Sequence, residues 1–84
     1  MLLVYPWSSN GMIDRAKLEK WFGPNVMSEE NAGDPRCQEI RLASLNLATT
    51  ILDNTPASAD QSTAIREVRS AFKWSMEANL HESS

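Results

Sequence analysis

Three cations stand out for their spacing. Arg66, Arg69 and Lys73 recur three and four residues apart. At about 100° per residue this places them in a row along one flank of a helix, beside its apolar stripe. Guanidinium groups donate in a planar fork that matches phosphate, so such a row could hold a phosphodiester. The same residues also suit a solvated face with i,i+4 partners such as Lys73 with Glu77. Trp21 and Phe22, just before Gly23-Pro24, offer rings that can stack on a nucleobase at ~1–3 kcal/mol each, or can pack into a core. Trp74 falls on the other flank of the cationic helix, half out of its core, and suits a contact with the first helix or with another subunit.

Other reactive constellations are sparse. His81 is the single histidine and sits near the end of the sequence, where little holds it. Cys37 is the single cysteine. It lies on an apolar stripe, which fits a buried structural thiol better than a nucleophile, because a reactive thiolate wants an electropositive, partly exposed site. One Cys and one His cannot close a zinc site without carboxylates or a second subunit. The glycines Gly11, Gly23 and Gly33 are scattered at turns, so there is no phosphate-cradling glycine loop. No catalytic residue, metal site or cofactor is expected.

Eighty-four residues make one domain. A chain this short buries a modest share of its surface and usually needs disulfides, metals or oligomerisation. With the first two unavailable, self-association is expected. Eight Lys and Arg against 11 Asp and Glu give a net charge of -3, which argues against duplex nucleic acid as partner. No run approaches the ~20 apolar residues of a membrane span, and residues 1–7 lack the basic start of a signal peptide. The expectation is a soluble, cytoplasmic protein.

The elements that must carry these residues are all helical. Residues 1–11 form an apolar lead-in, Met1-Leu2-Leu3-Val4-Tyr5-Pro6-Trp7, closing at Asn10-Gly11. It reads as a loosely packed tail or as an arm on a neighbouring subunit. A short helix is expected over 14–22, capped by Asp14 and stopped by Gly23-Pro24, with Gly23 in the left-handed conformation. Residues 25–34 read as a loop. The second helix is expected over 35–53, with Asp34 as cap and Pro35 at its first position. It carries one stripe of Cys37, Ile40, Ser44, Leu47, Ala48 and Ile51, and another of Leu42, Leu45, Thr49 and Leu52. Asn54-Thr55-Pro56-Ala57 is the turn, with Asn54 left-handed. Ser58 and Gln61 form a capping box. The third helix is expected over 59–79, its stripe being Ala64, Ile65, Val68, Ala71, Phe72, Ser75 and Asn79. The short connection makes the long helices antiparallel neighbours. The fold class is all-α: an antiparallel helical hairpin with a short N-terminal helix, assembled as a homo-oligomer.

From Asn54 to Asn79 the sequence resembles a hairpin domain common in bacteriophages. The matching residues are Asn54, Pro56, Ser58, Asp60, Gln61, Ser62, Ala64, Ile65, Val68, Ala71 and Trp74. Arg41, Ala43, Leu47, Ala48 and Ile51 are similar to the family's preceding helix. Members include the phage sponges that defeat CBASS and Thoeris immunity. The resemblance implies a homohexamer with pockets between subunits, and tight binding of cyclic nucleotide signals without cleavage. Trp21-Phe22-Gly23-Pro24 stands where the family carries a pocket segment, without its Tyr-His pair, and Met76 stands where the family often has Asn.

The resulting expectation is a phage-type sponge acting in the host cytoplasm. Arg41, Arg66, Arg69 or Lys73 would bind phosphates and Trp21 or Phe22 would stack on a base, with Pro24 also among the ligand-binding residues. The alternative is a small helical module that occludes a host protein.

Overall fold

A computed structural model describes residues 13–81; the lead-in lies outside the described residues. Within them the fold is all-helical, with four α-helices, one 3-10 turn and no strand. The order is α1 (Arg15–Trp21), the turn Pro24–Val26, α2 (Glu29–Ala32), α3 (Pro35–Asn54) and α4 (Ala59–Leu80). None of these helices is long and apolar enough to cross a membrane.

Each helix begins where a short polar side chain can take an orphan amide. Asp14 accepts from the Lys17 N–H at 2.8 Å, and Asp34 from the Arg36 N–H at 2.9 Å, with Pro35 at the first position of α3. Ser58 accepts from the Gln61 N–H at 3.1 Å. Gln61, however, does not complete a capping box by reaching back to Ser58. Its side chain is buried, and its Nε2 donates to the carbonyls of Leu52 (3.2 Å) and Thr55 (3.0 Å) and to Thr55 Oγ1 (3.1 Å). One amide thus serves the Leu52 carbonyl of α3 and the Thr55 carbonyl just past it, and ties the end of α3 to the start of α4.

Two turns differ from expectation. No described residue has positive φ. Asn54 is the last residue of α3, its Nδ2 donating to the Thr50 carbonyl, and the chain leaves through extended Thr55. Gly23 has φ -84°. Glycine suits that position for want of room: a Cβ there would stand 2.4 Å from the Glu19 carbonyl oxygen and 2.6 Å from Asn25 Oδ1. The stretch expected as loop contains the 3-10 turn and α2, whose Ser28 hydroxyl accepts from the Asn31 N–H.

The core gathers Ile13, Leu18, Phe22, Cys37, Ala48, Ile65, Phe72 and Met76. The Phe22 and Phe72 rings meet at 5.7 Å in a tilted pair, a favoured aromatic geometry. α3 and α4 pack along each other, and α1 and α2 both pack on α3. The buried face of α4 is therefore Gln61, Ser62, Ile65, Phe72 and Met76. The expected stripe is rotated: Ile65 and Phe72 belong to the core, but Ala71 is exposed, and Ala64, Val68 and Ser75 are half-buried. Sequence periodicity marks apolar positions on both flanks; α1 and α2 cover one flank and leave the groove on the other.

Candidate functional site

α1 presents Trp21 at its last position, and α4 presents Arg69 and Lys73 one turn apart. The Arg69 guanidinium carbon lies 4.5 Å from the centre of the Trp21 ring, and Lys17 Nζ stands 5.9 Å from the same ring. Both are within cation–π range. The Arg69 Nε–H is buried and has no acceptor among the described residues. Such a group ordinarily costs ~1–3 kcal/mol when unsatisfied.

These side chains border a cleft of about 350 Å³ between α4 and the segment from Trp21 to Asn31. Phe72, Met76, Val26 and Leu80 supply its apolar lining, and Ser28 and Asn31 its polar one. Lys73 and Glu77 also border it. Glu77 pairs with His81 at 3.2 Å, so the carboxylate near Lys73 has a second cationic neighbour when the imidazole is protonated. The arrangement can take a flat or apolar group against its lining while two cations attract an anion.

The expected site residues separate into three groups. Trp21, Arg69 and Lys73 converge on the cleft. Arg66 is exposed and Pro24 is exposed in the 3-10 turn, neither of them bordering it. The row of three cations is thus broken, because Arg69 is drawn onto Trp21 while Arg66 stays in solvent. Phe22 and Arg41 have structural places. Phe22 is 0% exposed against Phe72, so it has no free face for a base. Arg41 Nη1 donates to the Phe22 carbonyl at 3.2 Å and its Nε to Gln38 Oε1 at 3.1 Å. It closes the end of α1 on α3. Trp74 is 73% exposed, so the first helix does not cover it.

Several cleft residues escaped the sequence reading. Met76 lies beside the expected stripe, between Ser75 and Asn79, Leu80 lies just past the expected end of the helix, and Val26, Ser28 and Asn31 lie in the expected loop. Ser28 followed by Glu29 and Glu30 is a helix-start signal of cap plus early acidic residues, and it could have exposed α2. Beneath the cleft, Cys37 Sγ donates to Asn31 Oδ1 at 3.4 Å and accepts from Asn79 Nδ2 at 3.2 Å. The thiol is fully buried.

A second depression, about 590 Å³, runs between α3 and α4 and is lined chiefly by aliphatic and small side chains, among them Ile40, Ala43, Leu47, Val68 and Ala71. Among the described residues no cluster of three or more His, Cys, Asp or Glu could hold a metal ion. No family model, no curated protein and no solved structure matches this chain.

Proposed function

We propose that this protein binds cyclic nucleotide signals and sequesters them without cleaving them, as a phage anti-defence sponge in the cytoplasm of the host. The architecture that goes with this reading is an antiparallel hairpin of α3 and α4, assembled as a homo-oligomer. The four-residue connection 55–58 and the Gln61 bonds to Leu52 and Thr55 support the hairpin. Leu42, 55% exposed, and Trp74 are large apolar groups left for a neighbouring copy to cover.

The observation that carries the ligand reading is the convergence of Trp21, Arg69 and Lys73 on one cleft. A base can lie against the apolar lining, and a phosphate can give the Arg69 Nε–H an acceptor. Calorimetric titration with cyclic di- and trinucleotides and cyclic ADP-ribose isomers tests it, with chromatography of the recovered ligand. The expected result is binding with intact ligand returned. Lys73→Ala and Arg69→Ala should each weaken it by ~1.5–3 kcal/mol as charged hydrogen bonds are lost, while Arg66→Ala leaves it unchanged. Silence across the panel overturns the reading, and turnover of the ligand would make the protein an enzyme.

The open groove between α3 and α4 favours a second reading, a module that occludes a host protein. It predicts a stable complex in a pull-down and no response to nucleotides.

A further inference from the structure

We propose, resting on the nucleotide reading of the cleft, that Asn31 sets its base preference and that the buried Cys37 thiol positions Asn31 to favour guanine over adenine. The two ends of a side-chain amide differ: the oxygen accepts and the nitrogen donates two hydrogens. Asn31 borders the cleft and is 4% exposed, so protein neighbours fix which end a ligand meets. Here the oxygen end is taken. Cys37 Sγ donates to Asn31 Oδ1 at 3.4 Å and accepts from Asn79 Nδ2 at 3.2 Å. A thiol carries one hydrogen, so the run from Asn79 through sulfur to Asn31 has a single direction. Among the described residues Asn31 Nδ2 meets no acceptor, and it is not one of the polar atoms sealed from solvent, so it opens onto the cleft.

Other groups around the cleft add donors. Ser28 Oγ accepts from the Asn31 N–H at 3.2 Å and keeps its own hydroxyl hydrogen to give. The Arg69 Nε–H is buried without an acceptor among the described residues. Among those residues Glu77 is the one carboxylate bordering the cleft, and it pairs with His81. A ligand edge made of acceptors therefore suits this site. Guanine presents O6 and N7 side by side, both acceptors, whereas adenine presents N7 beside an amino group that must donate. The usual pairing of Asn with adenine uses the amide oxygen and nitrogen together, and in this protein the oxygen is committed to the thiol. Adenine would bring its amino hydrogens against the Asn31 donor.

Calorimetric titration of the full chain with the cyclic dinucleotide of guanine and with that of adenine tests the assignment. The guanine ligand is expected to bind ~10-fold or more tightly than the adenine one. Asn31→Asp puts a carboxylate oxygen where the donor stood and should erase that preference. Cys37→Ala frees the amide to turn and should shrink it, while Cys37→Ser, whose hydroxyl donates in the same place, should retain it. A thiol that only fills space would instead leave the ratio of the two affinities unchanged in Cys37→Ala. Circular dichroism melts show that each variant is folded, and the Cys37 pair carries the test should Asn31→Asp not fold. Equal affinity for the two ligands, a preference for adenine, or a guanine preference unchanged by Asn31→Asp or by Cys37→Ala overturns the assignment and leaves the sequestering reading standing. Silence toward both ligands overturns it as well, and the sequestering reading falls with it when the rest of the cyclic nucleotide panel is also silent.

Discussion

The two flanks of the α3–α4 pair have similar apolar sequence and different fates. On one flank Ile65, Phe72 and Met76 are buried in one core with Leu18 of α1 and with Phe22 just past it. On the other, Ile40, Leu47, Val68 and Ala71 border an open groove. Two amphipathic helices bury one stripe against each other and leave two shoulders. The short helices α1 and α2 cover one shoulder only. The core is thus decided less by helix periodicity than by which shoulder receives a partner.

The most direct way to break this contrast is to truncate one residue on each flank. Phe72→Ala should cost ~3–5 kcal/mol, the usual range for deleting a buried ring. Leu47→Ala removes a side chain that is 51% exposed and should cost well under half as much, since little of it leaves water on folding. Urea denaturation of the two variants reads the difference, and equal losses would mean that the groove is sealed in solution. Gln61→Ala sharpens the comparison at the junction of the helices. It strands the Leu52 and Thr55 carbonyls, and a loss of ~1–3 kcal/mol is expected from the same measurement.

The smallest effect is a pH dependence at the start of α3. The Arg36 side chain, donating to both Asp34 carboxylate oxygens, holds the Asp34 pKa below its ordinary 3.8, with the Arg36 backbone N–H acting in the same direction. A depressed folded-state pKa means the stabilisation is complete above the unfolded value and fades as pH falls through the lower, folded one. Acid titration followed by the Asp34 carboxyl NMR signal should therefore show a midpoint below 3.8. Asp34→Asn should flatten the acid limb of the stability profile.

Local chemistry made much of the fold legible. Asp14, Asp34, Pro35 and Ser58 mark helix starts through rules that act over three or four residues, and the structure uses all four. What escaped depends on long-range choice. Phe22 and Trp21 are neighbours of similar character in sequence; the turn of α1 buries one and leaves the other half-open beside Arg69. Arg41 looks like a free cation until the Phe22 carbonyl is seen 3.2 Å from it. The candidate site was legible as residue types on two separate elements, and the sequence held no sign that Arg66 would stay apart while Arg69 crossed to Trp21. Gln61 misled for a related reason: its spacing from Ser58 is that of a capping box, but it serves the Leu52 carbonyl of the preceding helix and the Thr55 carbonyl just past its end.

The sulfur of Cys37 sits where α2, α3 and the last turns of α4 meet, touched by Asn31 from one and Asn79 from another. An alkylating reagent can arrive there only when those helices part. The thiol is therefore a built-in clock: its labelling rate counts how often the far end of the molecule breathes, without any added probe.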